Sequence, residues 1–395
     1  MKRILKVLRV ISTVVGAVVI LFFVVGSFVW GIDFEPFQYG RNDLVSSENL
    51  DKEGPFVFEK DSLYEIQYIN GNEKYGYSIE KTHHLKDDKK ELKSYYYLDN
   101  TSFSFVLEDH LKNEPDHYKS AEKLIALSDI ESNYKTFRDF LVNNNVIDKN
   151  LNWTFGKNHL ILNGDFIDRS YFATQVLWFI YKLEQEAEKA GGKVHFILGN
   201  HEIMNIQGNH KYARSKYENV ASVLGIKQYQ LYDKTSYLGK WLSTKNVVEK
   251  IGKYTFVHAG ISPEFAENDI TISEINQIAR NNYEISYYPQ KGRDLKEKLI
   301  LSSKTSPYWY RGYFKDNLKQ EEIETLLNFY ETSNIIVGHT IQDEVKRLYD
   351  GKIISIDVTH PKDYYKYFPK IESQGLLIEN DKFYRIDDQG HRIEI

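Results

Sequence analysis

The chain has 395 residues, 42% hydrophobic and 27% charged, the composition of a globular protein with a sizeable core and not of a disordered or collagen-like one. Its formal charge of -5 conceals an asymmetry: residues 1–32 carry four basic residues and no acidic ones, leaving 47 basic against 56 acidic in the rest, or -9. A net acidic body argues against nucleic acid as a partner, and the absence of cysteine removes disulfides, thiolate zinc sites and a thiol nucleophile.

Val10–Ile32 is 23 residues without a charge, enough to cross a hydrocarbon core of about 30 Å as a helix. Lys2, Arg3, Lys6 and Arg9 precede it, and Asp33 and Glu35 follow it. The positive-inside rule then makes residues 1–9 a cytoplasmic tail and 10–32 a single-pass anchor in the cytoplasmic membrane, with the remaining chain facing the periplasm or cell exterior. A cleaved signal peptide is the rival reading, although its apolar region normally spans about 7–15 residues before a small-x-small site. Residues 33–60 read as a polar tether. From Pro55 to Leu107 the pattern is of strands: Phe56–Phe58, then Tyr64–Tyr68 and Tyr75–Ile79 around the hairpin signal Asn70-Gly71-Asn72, then Tyr95–Leu98 and Phe103–Leu107. The charged span His83–Lys93 reads as a solvated loop, with His83 and His84 on its surface. Residues 33–120 are therefore expected to form a tether and a small β extension without chemistry of their own.

Beyond residue 121 the texture changes. Short apolar runs at Leu124–Leu127, His159–Leu162, Val194–Leu198, Tyr254–Val257 and Asn334–Val337 read as buried strands. Phe137–Asn143 and the amphipathic Thr174–Lys189 read as helices between them. Helical insertions are expected near 203–250 and 263–330, the latter interrupted at Tyr308-Trp309-Tyr310-Arg311, whose aromatics suit either a flat wall or packing. Ile353–Val358, Leu376–Glu379 and Phe383–Ile386 read as closing strands. Strand, polar cluster, helix, strand, polar cluster is the signature of βαβ units. Open α/β sheets of this kind bind ligands beyond the carboxyl ends of their strands.

Five of these strands end in chemistry: Asp129 with Glu131, Asp165 with Asp168 and Arg169, Asn200 with His201, His258, and His339. One aspartate after a strand is usually the N-cap of the next helix, and one histidine is usually a hydrogen-bonded core residue. Five clusters together say something else. Carboxylate, amide carbonyl and imidazole are ligands for borderline divalent cations. Six donors, one of them a carboxylate able to bridge, suit two cations about 3.5–4 Å apart.

The ordered blocks Gly164-Asp165-Phe166-Ile167-Asp168-Arg169, Gly199-Asn200-His201-Glu202, His258-Ala259-Gly260 and Gly338-His339-Thr340 resemble those of the calcineurin-like metallophosphoesterases, especially the phosphoprotein-phosphatase-type branch and its bacterial relatives, over residues 122–360. The resemblance implies a four-layer α/β/β/α sandwich over 121–395. It also implies two divalent cations and a phosphorylated substrate, a protein or a small molecule, hydrolysed as a phosphomonoester by a metal-bridging hydroxide. Carried over by motif position, Asp129 and Glu131 would hold the first metal and Asp165 would bridge, with Asn200, His258 and His339 completing the second. His201 would be the general acid, oriented by Asp168, while Arg169 and Arg311 would clamp the phosphoryl oxygens, a task that suits the planar guanidinium fork.

Two departures stand out. The family's first block is usually Gly-Asp-x-His-Gly, but here it is Ser128-Asp129-Ile130-Glu131-Ser132. Glu131 thus takes the place of a metal-binding histidine. A carboxylate there favours manganese foremost, with iron, magnesium or zinc as the alternatives; if it does not ligate, the first site is weak. Ser170 stands where the family commonly has glycine, which changes a turn. Asp357 and His360 follow a late strand and fit the site rim or a structural role equally. Two rival functions share these residues: a phosphodiesterase or pyrophosphohydrolase, and a catalytically silent metal-binding interaction module.

Overall fold

The structure is a computed structural model that describes residues 2–30, 32–35, 38–42, 45–285, 290–315 and 318–395, with side chains described for 4–27 and, within those ranges, from 45 onward. The N-terminal helix α1 (Lys2–Trp30) starts earlier than the uncharged run because its basic first turns are also helical. Its apolar segment Ile4–Ser27 is exposed over most of its length, the state of a signal sequence or a membrane anchor outside a bilayer.

The expected tether is largely strand. β1 (Ile32–Glu35) and β2 (Gln38–Asn42) form an antiparallel pair, and β3 (Glu53–Lys60) begins inside the same stretch. β4 (Leu63–Asn72) and β5 (Gly76–Leu85) extend it into a three-stranded sheet. The Asn-Gly hairpin is correct in kind but displaced, since β4 runs through Asn70–Asn72 and the chain turns at residues 73–75. The solvated-loop expectation for His83–Lys93 fails in its first part. His83 and His84 lie in β5 opposite Glu65 and Tyr64, and His83 Nε2 sits 3.1 Å from the buried Glu65 carboxylate. A hairpin of β6 (Glu91–Tyr96) and β7 (Thr101–Val106) completes the extension.

The remaining strands form two mixed six-stranded sheets. The first contains β9 (Lys123–Leu127), β10 (His159–Asn163) and β11 (Lys193–Ile197); the second contains β8 (His117–Tyr118), β12 (Val248–Ile251), β13 (Tyr254–Val257), β14 (Asn334–Val337), β15 (Lys346–Leu348) and β16 (Ile353–Ser355). β17 (Tyr365–Phe368) pairs instead with β2, while β18 (Gln374–Glu379), β19 (Lys382–Asp387) and β20 (Arg392–Glu394) complete the first sheet. Alternation explains why the apolar runs are unbroken. Leu124 and Ala126 of β9 and Ile161 of β10 face Phe256 of β13 and Ile336 of β14 in one core between the sheets. Ile125, Leu127, Leu160 and Leu162 face outward into a second core. That outer core holds α2 (Tyr134–Asn143) and α3 (Ala173–Lys189).

Helix α3 is less amphipathic than its sequence implies: Ala173–Leu183 are all buried. The extension covers the face that would meet water. Trp178 Nε1 donates to Pro55 O at 2.9 Å, and Phe105 stacks on the Trp178 ring at 4.4 Å. Glu53 of β3 receives the Lys216 ammonium at 2.8 Å, with both side chains buried.

Candidate active site

Asp129, Asp165, Asn200, His258 and His339 follow the carboxyl ends of β9, β10, β11, β13 and β14, so the parallel order of these strands brings them to one edge of the two sheets. The loops after β9 and β10 are zipped together by Asp129 N to Gly164 O (3.0 Å), Glu131 N to Asp165 O (3.0 Å) and Ser132 N to Phe166 O (2.8 Å). Asp129, Glu131, Asp165, Asp168, Arg169 and His339 all have φ between 52° and 69°, a region that costs a non-glycine residue of order 1 kcal/mol. Packing allows no alternative. A Cβ on Gly164 would lie 2.5 Å from His258 Nδ1, and one on Gly199 would lie 2.2 Å from Asp165 Oδ1.

The buried Glu202 carboxylate holds the loop after β10 from below. It accepts N–H groups from Gly199 (2.9 Å), Asp165 (3.0 Å), Phe166 (2.8 Å) and Ile167 (3.3 Å). Glu202 belongs to a sequence block already singled out, yet its job was missed; the Gly-x-x-Glu spacing of a capping box was the available signal.

Donor atoms of Asp165, His258 and His339 lie within 4.8 Å of one another and all three residues are buried. His258 Nδ1 donates to Asn163 O at 2.8 Å, which leaves Nε2 to face Asp165 Oδ2 (3.1 Å), Asn200 Oδ1 (3.2 Å) and His339 Nδ1 (3.2 Å). Fixing the tautomer through the other ring nitrogen is how metal-binding histidines are oriented. The electrostatics ask for a cation. Burial disfavours the His258 imidazolium, but the Asp165 carboxylate outweighs it and lifts His258 to about 10. Burial raises Asp129 to about 6 and Glu131 to about 7, with neighbouring carboxylates adding to each shift. Asp357, buried and next to the same acids, is pushed well above the carboxylate range. Buried His339 Nε2 has no hydrogen-bond partner among the described residues. This donor set and its excess negative field fit divalent metal.

Beside the cluster, His201 Nδ1 lies 2.8 Å from Asp168 Oδ2, and Asn205 Nδ2 donates to the other Asp168 oxygen at 2.8 Å. Burial lowers the imidazolium's stability, but Asp165 and Asp168 prevail and raise His201 to about 9. Arg169 Nη2 is 3.4 Å from His201 Nε2, and its Nε is 3.1 Å from Glu131 Oε1. The Tyr212 ring lies under the Arg169 guanidinium. Arg311 Nη1 donates to His339 O and Thr340 Oγ1, each at 2.9 Å.

A cavity of about 270 Å³ is lined by eight of the ten residues singled out from sequence, all except His258 and Asp168, which stand behind it. Tyr212, Trp309, Ile341, Asp357 and Lys362 also line it. Asp357 faces the cavity as one of the two readings required. His360 borders it, but its ring is committed, with Nε2 2.9 Å from Ser128 O and Nδ1 2.9 Å from Ser373 Oγ. Tyr212 and Lys362 carried no local pattern that could mark them.

The family model for calcineurin-like phosphoesterases matches residues 122–343. The chain is similar to Shewanella-like protein phosphatase 1 of Plasmodium berghei (27% identity, covering 65% of this chain and 67% of that protein). It is also similar to Shewanella-like protein phosphatase 2 of Arabidopsis thaliana (24%, covering 68% and 78%). Among solved structures, a cold-active protein-tyrosine phosphatase of a psychrophilic Shewanella species superposes with a TM-score of 0.75 at 29% identity, covering 87% of this chain and 98% of that one. The chain belongs to the calcineurin-like phosphoesterase family, whose α/β sandwich of mixed sheets and metal-binding site it has. Within that family it is a metal-dependent phosphatase of the Shewanella-like protein phosphatase branch. The share covered by the Shewanella enzyme is too large for residues 121–395 alone to supply. The shared fold therefore reaches into the extension, which the sequence reading had placed outside the resemblance.

Proposed function

We propose that the chain removes phosphate from phosphoproteins as a dinuclear metallophosphatase, with phosphotyrosine as the favoured residue. The observation that carries this reading is one cavity that brings His201, Arg169 and Arg311 beside Asp165 and His339, with Asp168 and His258 holding His201 and the metal-type cluster from behind. In this reading Asp129, Glu131 and Asp165 hold one divalent cation and Asp165, Asn200, His258 and His339 the other. Manganese is the expected ion because the first set is all oxygen. Bound there, divalent cations would neutralise charge on the phosphoryl group and lower the pKa of a water. His201, protonated and oriented by Asp168, gives its Nε2 proton to the leaving oxygen. Among the described residues Arg311 engages the protein through Nη1, which leaves Nε and Nη2 for phosphoryl oxygens. Glu131 would combine two tasks that a histidine could not: offering carboxylate oxygen to the first cation while its Oε1 holds Arg169. Tyr212 and Trp309 form aromatic walls and the exposed Ile341 an apolar rim, surroundings suited to an aryl ester. The Shewanella relative is named for tyrosine phosphatase activity.

Three structural readings accompany this proposal. The helices α2 and α3 outside the first sheet, with the helical insertions outside the second, make the four-layer sandwich. Residues 33–120 form the extension and 121–395 the catalytic domain. Helix α1 is an uncleaved single-pass anchor that leaves the catalytic domain outside the cytoplasm.

The test uses the full chain in detergent micelles with manganese, magnesium, iron or zinc, assayed on p-nitrophenyl phosphate, its bis-ester and matched phosphotyrosine and phosphoserine peptides, beside Asp165→Asn and His201→Ala. Monoester and phosphotyrosine preference supports the proposal. Preference for the bis-ester would replace it with a phosphodiesterase, and inactivity with every metal would end it.

A further inference from the structure

A second cavity, of about 630 Å³, lies beside the catalytic one, between α2 and the segment around β17. Lys362 is the one residue that lines both cavities. Its backbone is pinned on either side. Thr136 Oγ1 donates to Pro361 O at 2.7 Å. The half-buried Asp363 carboxylate accepts N–H groups from Lys135 (2.7 Å) and Thr136 (2.9 Å) and the Tyr96 hydroxyl (3.1 Å). His360, two residues earlier, is fixed to Ser128 O. In this pinned segment the Lys362 ammonium has neither an ion pair nor a hydrogen bond among the described residues. Two other lysines of the cavity wall are paired: Lys135 with Asp139, and Lys370 lies 3.5 Å from Asp388. Tyr365 and Tyr367 line the same cavity, and Lys366 adds a further cation to its wall.

An unpaired ammonium on a fixed backbone at the mouth of a phosphate site is placed to meet a second negative charge on the same substrate. We propose that Lys362 and the adjoining cavity form an anion subsite for the chain flanking the scissile phosphate, selecting phosphopeptides with Asp or Glu within a few residues of the phosphorylated one. The proposal rests on the protein-phosphatase reading. An extended peptide advances about 3.3 Å per residue, so a flanking carboxylate reaches Lys362 while the phosphate stays between Arg169 and Arg311. The half-buried lysine gives a pair stronger than a fully exposed one, yet still screened by salt.

The experiment measures kcat and KM of the full chain in detergent with manganese on phosphotyrosine peptides carrying Glu, or Gln in its place, at positions on either side. Acidic peptides are expected to have about three- to tenfold higher kcat/KM, mostly through KM, an advantage that fades at high salt. Lys362→Ala should bring the ratio to one, Lys362→Glu should invert it, and Lys362→Arg should retain it, with exposed Lys149→Ala as a distant control. A wild type that treats both peptides alike, or a preference that survives Lys362→Glu, overturns the subsite and leaves the phosphatase reading standing. Hydrolysis of p-nitrophenyl phosphate but of no peptide removes the reading beneath it. If Lys362→Glu instead abolishes binding to phosphatidylglycerol vesicles and leaves the peptide ratio intact, the lysine serves a membrane contact and the subsite is refuted.

Discussion

Arg169 Nε lies 3.1 Å from Glu131 Oε1, so the carboxylate expected to stand in for a metal-binding histidine is tied to the guanidinium proposed for the phosphate. The two positions that differ most in expected role, metal ligand and phosphate clamp, are mechanically joined.

This pairing makes Glu131 variants informative. Glu131→Gln should weaken manganese binding at least about tenfold in calorimetric titration, and raise KM as Arg169 loses its partner. Glu131→His should recover metal affinity with a shift toward zinc, but not the KM. Unchanged manganese affinity in Glu131→Gln would confine Glu131 to the arginine.

A leaving-group comparison tests the His201–Asp168 pair. Asp168→Asn keeps the contact to Asn205 but removes the charge that holds the His201 proton. The loss in kcat should be about a hundredfold or more on phenyl phosphate and much smaller on p-nitrophenyl phosphate, whose leaving oxygen needs little proton assistance. Equal losses on both esters would point to a structural role for Asp168.

Glu202→Gln should separate architecture from chemistry. An amide cannot accept four N–H groups as a carboxylate does, and its own NH₂ would face two of them. About 2 kcal/mol of stability should be lost, read by urea unfolding, together with activity, since the Asp165 loop loses its support. Unchanged stability would mean that the strand-end glycines alone hold the loop.

The sequence marked the strands, their ends and the metal-type residues because each depends on neighbours within a few positions. Apolar runs such as Leu160–Leu162 followed by Gly164-Asp165 are local patterns with local causes. What it did not show are relationships between distant segments. Nothing around Thr174–Lys189 indicates that β3, β6 and β7 will bury its outer face. Nothing near Gln38–Asn42 announces a pairing with Tyr365–Phe368, and Lys362 is one lysine among many until the fold sets it between two cavities. Glu131 could be flagged as unusual, but its partner Arg169 is on another loop.

A buried charge cluster ties the extension to the catalytic domain. Lys245 Nζ lies 3.1 Å from Glu114 Oε1 and 2.8 Å from Glu184 Oε1, and Lys193 Nζ is 2.7 Å from Glu114 Oε2. Lys245→Met strands the Glu184 carboxylate, leaves Glu114 with Lys193 alone and should cost about 3–5 kcal/mol, measured by chemical denaturation at neutral pH. Burial raises Glu114, but the Lys245 and Lys193 charges outweigh it and hold it down to about 2. A depressed carboxylate stabilises the fold above its unfolded value of 4.5 and loses that contribution as pH falls toward 2. The stability gap between wild type and Glu114→Gln should therefore be constant above pH 4.5 and close on acidification below it; a gap that widens in acid would reverse the assignment.

The backbone ladder between β2 and β17, Asn42 opposite Tyr365 and Tyr39 opposite Phe368, has a mechanical side. A free linker after α1 would let the catalytic cavity sweep a wide volume around the helix end. Instead the chain leaving α1 is stitched to a strand that begins three residues after Lys362, at the border of the cavity. The ladder thus brings a segment close to α1 in sequence to the border of the cavity, so a change in β2 is felt at the same strand that carries the chain away from Lys362.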